Sequence, residues 1–263
     1  MPIFILFLLM AIGLDAKEYY AKVEPYEILN VSSNVSAEVV YTDTESQGKR
    51  LGKKPYIVMD DKLDTVELQS VDGKIDAVEK TLVHNQAMVK NYQQIIEMKQ
   101  ANFDRIKDLK IKSAVEKDRE YFDLVSSRNS LLSVQKEIES LRMQLGDLKT
   151  RRSQLQKNIA DKHISAPGYV LYQLMVKPSA FVNPGTPLAQ VADVRKAKLT
   201  VYLNAAEAQQ AQTKSIYLNG KKTAYRIDRL WKIADASKLS SYRAEIVITP
   251  PERFSQLVKV EFK

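Results

Sequence analysis

The side chains that could do catalytic or metal chemistry in this 263-residue chain are few. There is no cysteine, which excludes disulfides, thiolate metal sites and a cysteine nucleophile. The two histidines, His84 and His163, have no metal-spaced neighbour and no nucleophile signature. A glycine-rich phosphate loop, GxSxG and HExxH are all absent from the sequence. We therefore interpret both histidines as structural and expect no catalytic, metal-binding or cofactor-binding residue.

The chain is basic, with a net charge of +8 and a pI of about 9.3. A basic balance favours nucleic acid, an anionic membrane surface or an acidic protein as partner. Acidic residues are mixed among the basic ones along most of the sequence, which also fits a solvated surface with a basic excess.

The N-terminus carries an apolar run from Ile3 to Leu14, followed by Asp15-Ala16-Lys17. Twelve residues are too few to span a bilayer, which takes about 20. The run fits the core of a secretory signal cleaved after Ala16, so residues 1–16 are predicted to be a signal peptide and the mature chain to lie outside the cytoplasm or to be held at a membrane by partners. The alternative is the start of a buried strand or helix.

Two segments in the middle of the chain have the spacing of a coiled-coil seam, in which apolar residues alternate in steps of 3 and 4. Residues 105–120 lie between them and include Ser113 and Glu116, the spacing of a capping box at a helix start. The first seam reads Leu68, Val71, Ile75, Val78, Leu82, Asn85, Val89, Tyr92, Ile96, Lys99, Phe103, Ile106, and the second reads Leu131, Val134, Ile138, Leu141, Leu145, Leu148, Arg152, Leu155, Ile159.

The two helical arms are equal in length, 46 residues from Leu63 to Asp108 and 46 from Val115 to Ala160. Each would be about 69 Å long at ~1.5 Å per residue. Equal arms joined by a turn near Leu109 to Ser113 predict an antiparallel hairpin. The alternative is one long coiled coil that dimerises with a second chain.

A hairpin returns the chain to its starting point, so the segments that flank it should lie together. Residues 28–61 and 162–195 both read as short strands broken by small residues and a glycine-containing turn. We interpret them as two halves of one β-module, split by the helical excursion of residues 62–161.

This order of elements resembles the periplasmic adaptor, or membrane fusion protein, family of the HlyD type, in which a long α-hairpin separates two lipoyl-like halves. The resemblance is carried by "ISAPGYV", "FVNPGTPLAQVAD" and "KLTVYLNAAEAQ", and it extends over nearly all of the mature chain. It implies an elongated α+β fold, with residues 17–27 as an N-terminal strand and residues 196–263 as a small β-barrel domain. No cofactor is implied.

The resemblance also suggests a docking site at the hairpin tip. Adaptors that engage a TolC-type channel often carry Arg, Leu and Ser around the turn, and Arg105, Leu109 and Ser113 are similar to that set. Only three residues separate Leu109 from Ser113, so the tip is shorter than usual. In this interpretation Arg105 donates hydrogen bonds, Leu109 fills an apolar groove and Ser113 caps the second helix. The alternative is a solvated arginine, a last seam leucine and a plain helix cap.

The resemblance therefore implies a non-enzymatic adaptor of a tripartite efflux or secretion pump. Its expected partners are an inner-membrane transporter of the RND or ABC type, an outer-membrane TolC-type channel and further copies of itself, as a homo-hexamer or other ring, with no nucleic acid. The alternative function is a basic coiled-coil scaffold that binds nucleic acid or envelope components.

Overall fold

The computed structural model describes residues 17–234 and 241–263, and the predicted signal peptide lies outside that part of the chain. The described residues include no helix that is both long enough and apolar enough to cross a membrane.

The described residues form an α+β structure, with two long α-helices, one short α-helix and twelve strands. In chain order they are β1 Glu18–Ser32, β2 Ala37–Thr42, β3 Ile57–Met59, α1 Lys62–Ile106, α2 Ala114–Asp161, β4 His163–Ile164, β5 Val170–Leu174, β6 Phe181–Val182, β7 Pro187–Leu203, α3 Ala205–Ala211, β8 Ile216–Leu218, β9 Lys221–Lys222, β10 Arg229–Ala234, β11 Tyr242–Ile248 and β12 Leu257–Phe262.

Helices α1 and α2 form an antiparallel hairpin, as predicted. Near its base, Arg151 and Glu67 pair at 2.5 Å, and nearer the turn Arg128 Nη2 donates to Gln100 Oε1 at 2.7 Å. The residue numbers of the paired side chains therefore increase along α1 as they decrease along α2, which is the pattern of an antiparallel pair. The predicted seams supply the buried interface, with Val71, Ile75, Val78, Leu82 and Asn85 from α1 and Val134, Ile138 and Leu155 from α2.

The seam of α2 extends further towards the tip than the sequence indicated. Leu124 and Ser127 are also buried, and they continue the 3–4 spacing back from Leu131. Arg152, the polar residue in the predicted seam, reaches Asp72 across the hairpin at 2.9 Å. The amide nitrogen of Asn85 is buried without a hydrogen-bond partner in the structure. One such polar residue in an apolar seam favours a single register at a cost in stability.

The two segments that flank the hairpin close into one β-module, which confirms the predicted insertion. Strand β3, which precedes α1, pairs with β4, which follows α2, and β2 pairs with β6. The isolated bridge between Gln47 and Leu171 joins the halves again. Their apolar residues share one core, composed of Ala37, Val39, Leu51, Tyr56, Ile57 and Met59 from the first half and Leu171, Val182, Leu188, Ala189 and Val191 from the second.

The base of the hairpin is fastened by contacts between its two ends. His163 Nε2 lies 2.8 Å from Asp61 Oδ2, and Lys162 is paired with Asp64. Asp61 directly precedes α1, while Lys162 and His163 directly follow α2. These contacts fix where both helices leave the β-module, which gives His163 the structural role that the sequence suggested. His84 lies exposed on α1.

The remaining strands form a sheet of eight, in the order β10-β11-β7-β1-β12-β8-β9, with β5 also paired to β7. One face packs into a core that includes Leu199, Val201, Ile246 and Val260, together with Ala208 of α3. The domain expected to be a small β-barrel is an open sheet as far as the described strands go. Among the described strands no pairing joins β10 to β9, and β9 is a short, exposed edge strand formed by Lys221–Lys222.

Two long strands connect the hairpin-bearing module with this sheet. β1 and β7 pair from Val23↔Leu199 to Ser32↔Pro187, with an irregularity at Pro25. The sequence-based boundaries at residues 27/28 and 195/196 therefore fall inside continuous strands. Proline lacks the N–H that a regular ladder needs, which explains the irregularity.

Candidate functional site at the hairpin tip

The turn of the hairpin consists of residues 107–113, between the end of α1 at Ile106 and the start of α2 at Ala114. The predicted capping box closes it. Ser113 Oγ accepts from the backbone N–H of Glu116 at 3.3 Å, and the Ser113 N–H donates to Glu116 Oε2 at 3.0 Å. This N–H, with help from Lys112, holds the pKa of the Glu116 carboxyl below its usual range. The start of α2 is thereby set by side chains within the turn.

The structure brings the three predicted docking residues to one end of the hairpin. Arg105 lies in the last turn of α1, where its Nη2 is 3.4 Å from Asn102 Oδ1. Leu109 is 42% exposed, and its backbone N–H donates to Ile106 at 3.1 Å. Ser113 is engaged in the capping box. Two of the three side chains are therefore available to a partner, and the third shapes the turn.

Two apolar tip residues were not among the predicted site residues. Ile111 is 89% exposed and Val115 is 78% exposed, more than Leu109. Neither belongs to a seam, and this was the signal in the sequence: an isoleucine and a valine beside a turn, outside both registers. Together with Leu109 they form an apolar tip, the name used below for Leu109, Ile111 and Val115. Exposed apolar residues grouped at the end of a rod are typical of an interaction site.

Charged side chains surround the apolar tip. Lys107 pairs with Asp104 at 2.8 Å and Lys112 pairs with Glu116 at 3.1 Å, both on the surface. The Lys107 hydrogen bond lowers the pKa of the Asp104 carboxyl. A polar rim around an apolar centre is the usual anatomy of a protein–protein interface.

The capping role of Ser113 can be separated from docking by substitution. Ser113→Ala removes the side-chain acceptor and should lower the stability of the hairpin by about 1 kcal/mol, whereas Ser113→Asp keeps an acceptor and should retain most of it. Urea unfolding followed by the helical circular dichroism signal measures both. Equal stability of Ser113→Ala and the wild type would show that the cap contributes nothing.

The part of the chain that the structure describes also contains side chains of the kinds that bind metals. Over residues 17–234 and 241–263, no group of three or more His, Asp or Glu side chains is placed to hold a metal ion. What the tip offers is a surface for binding, positioned at the end of a long helical rod.

The sequence matches no protein-family model and none of the curated proteins. Solved structures, in contrast, share its fold. The chimera of MacA and MexA that contains the Pseudomonas aeruginosa MexA α-hairpin domain aligns with a TM-score of 0.61 and 15% identity, over 94% of this chain and 82% of that one.

Two natural proteins align over a similar extent. For MacA from Actinobacillus actinomycetemcomitans the TM-score is 0.57 at 14% identity, over 94% of this chain and 79% of that one. For the membrane fusion protein Spr0693 from Streptococcus pneumoniae R6 the TM-score is 0.55 at 10% identity, over 94% of this chain and 99% of that one. The resemblance seen in the sequence is thus confirmed at the level of the fold, and the chain has the architecture of the membrane fusion proteins.

Proposed function

We propose that this protein is the periplasmic adaptor of a tripartite efflux or secretion pump. In this role it links an inner-membrane transporter to an outer-membrane TolC-type channel and has no enzymatic activity of its own. The observation that supports the proposal most strongly is the fold: a membrane fusion protein architecture aligns with 94% of the chain, including the hairpin and both halves of the β-module.

The apolar tip is the element that contacts the channel. Leu109, Ile111 and Val115 are held at the turn between α1 and α2, where Ile111 and Val115 are largely exposed and Leu109 is partly exposed. Arg105 stands one helical turn before Leu109 and can donate to carbonyl or carboxylate groups on the channel. Burial of the apolar side chains supplies the affinity, while the directional hydrogen bonds of Arg105 set the orientation of the tip on the channel.

The β-structure at the other end carries the remaining contacts of the adaptor. Copies of the chain stand side by side in a ring, as a hexamer or another closed oligomer, with their β-modules adjacent and their hairpins forming a tube. The open sheet faces the inner-membrane transporter. The mechanism is mechanical coupling and sealing, since the pump substrate passes along the axis of the ring.

A single-cysteine cross-linking experiment tests the channel contact. The chain has no cysteine, so Leu109→Cys carries the only thiol and can be labelled with a photo-activated cross-linker. We expect light-dependent cross-links to an outer-membrane channel in cells of the source organism, identified by mass spectrometry.

The matched control is Val83→Cys, another exposed aliphatic position on the same hairpin, with 63% exposure. It lies 23 residues before the end of α1, about 35 Å from the tip at ~1.5 Å per residue. Channel cross-links at Leu109→Cys but not at Val83→Cys would support the proposal. The same yield at both positions, or cross-links from the tip only to proteins other than a channel, would contradict it.

A further inference from the structure

The net charge of the chain is concentrated in the open sheet. Residues 196–263 contain 13 Lys and Arg against 6 Asp and Glu, a net charge of +7, whereas residues 1–195 contain 27 against 26, a net charge of +1. Although opposite charges are mixed along most of the chain, the sheet therefore holds almost the whole basic excess. Such a surface attracts anionic partners.

Within this sheet, the outer face of β1 and β12 exposes apolar and basic side chains side by side. Tyr20 is 67% exposed and lies opposite Lys259, and Leu257 is 71% exposed and lies opposite Lys22. Strand alternation sends the intervening residues, such as Ala21 and Val260, into the core. A tyrosine and a leucine are thus exposed to solvent, each opposite a lysine on the neighbouring strand.

The same face continues across β8 and β9. Tyr217 of β8 lies opposite Glu261 on one side and Lys222 on the other. Lys263 Nζ lies 4.8 Å from the centre of the Tyr217 ring. The name lysine–aromatic face is used below for Tyr20, Lys22, Tyr217, Lys222, Leu257, Lys259 and Lys263.

Three carboxylates lie on this side of the sheet, of which Glu24 lies opposite Lys198 and the other two are already paired with lysines of the face. Glu261 is bound by Lys259 and Lys263, each at 2.7 Å, and Glu18 is bound by Lys259. These carboxylates raise the pKa of the Lys259 ammonium, so it stays charged at any physiological pH. With four lysines against three glutamates, the face keeps a net positive charge.

The position of the face in the fold separates it from the hairpin. Tyr20 and Val31 belong to the same strand, and Val31 packs against the core of the hairpin-bearing module. The two positions are eleven residues apart along the strand, about 36 Å at ~3.3 Å per residue. The face is therefore at the end of β1 remote from the module that carries the channel-contacting rod. It also begins a few residues after the apolar run of residues 3–14 in the sequence.

We propose that the lysine–aromatic face binds directly to the surface of an anionic lipid bilayer. Lysines whose stems lie along apolar surface, together with exposed aromatic and aliphatic side chains, are the residues that enter the headgroup region of membranes. Juxtamembrane lysines gain affinity from the negative potential of anionic lipids. This contact goes beyond the proposed adaptor role and does not depend on the channel or the transporter.

A depth-sensitive fluorescent label tests the proposal on the full chain. Leu257→Cys is labelled with an environment-sensitive fluorophore, and vesicles contain equal parts of phosphatidylglycerol and brominated phosphatidylcholine. We expect a blue shift and quenching by the bromines, both abolished by high salt because screening removes the electrostatic attraction. Vesicles of brominated phosphatidylcholine alone should produce neither.

The control label is at Ile233→Cys, an apolar residue of β10 that is 82% exposed in the same sheet but outside the face. Quenching at position 257 and not at 233 supports the proposal. The same quenching at both positions would mean a non-oriented association, for instance through the apolar run alone, and would overturn it. A shift at 257 that depends on protein concentration and not on lipid would assign the face to contact between copies, and would also overturn it.

A charge-reversal pair completes the test. Lys22→Glu with Lys222→Glu should weaken vesicle binding about tenfold or more. The control pair, Lys74→Glu with Lys80→Glu, makes the same change in net charge at exposed positions of α1. An equal loss in both pairs would show that net charge alone matters, which would contradict a defined face. Because no channel is present, this result is independent of the cross-linking at Leu109.

Discussion

Ile111→Asp combined with Val115→Asp should, under the proposed docking, lower the affinity of the hairpin for an outer-membrane channel by about a hundredfold. Each substitution replaces an exposed aliphatic side chain that would be buried on docking, at a loss of about 1.5 kcal/mol or more. Two such losses correspond to about two orders of magnitude in the dissociation constant. Binding of the purified protein to channel-containing nanodiscs by surface plasmon resonance measures the change.

The hairpin itself should tolerate these substitutions. Position 115 is in the first turn of α2, where an acidic residue interacts favourably with the helix dipole, and position 111 lies in the turn. The unfolding temperature is therefore expected to stay within a few degrees of the wild type. Val83→Asp is the matched control, because it adds an acidic residue at an exposed valine away from the tip. Normal channel binding by the tip variant would exclude the apolar tip as the docking element.

Leu171→Ala should destabilise the β-module by about 2–5 kcal/mol, the usual cost of truncating a leucine within a packed core. Leu171 is fully buried, pairs with Val191 and is bridged to Gln47 in the half of the module that precedes the hairpin. Its loss therefore weakens the core that holds the two halves together. Chemical unfolding followed by circular dichroism measures the effect.

Leu132→Ala is the control for this substitution, since Leu132 is 61% exposed on α2 and should change the free energy of unfolding by less than about 0.5 kcal/mol. A second measurement reports on the module itself: hydrogen exchange of strands β2 and β3 should accelerate in Leu171→Ala although neither strand contains the substitution. Unchanged exchange in those strands would mean that the two halves are not one cooperative unit.

The helical part of the fold could be predicted closely from the sequence. The predicted arms, 63–108 and 115–160, differ from α1 and α2 by no more than two residues at any end. Periodicity and capping are local properties, so the seam positions of Val71 and Leu155 and the cap at Ser113 could be found without knowing the fold. The pairing of the two β-halves also followed, because equal antiparallel arms must return the chain to its starting point.

The candidate site was only partly accessible from the sequence. The family resemblance indicates Arg105, Leu109 and Ser113, whereas the exposure of Ile111 and Val115 is a feature of the folded tip. Whether an aliphatic side chain near a turn is buried depends on how the turn packs, and spacing along the chain does not report this. The open sheet is likewise a tertiary feature, since it depends on which strands pair across the domain.

The amino-acid sequence alone determined the features that depend on neighbours along the chain: the rod, its length, its seam and its cap. The tertiary structure decided which residues meet across long separations and which are left uncovered. It joined Leu171 to Val39 in one core, and it placed Tyr20 beside Leu257 on a basic face although 236 residues separate them in the sequence. Solvent exposure is a property of the assembled surface, so folding decides how far Leu109, Ile111 and Val115 are uncovered, and it assembles the lysine–aromatic face from distant parts of the chain.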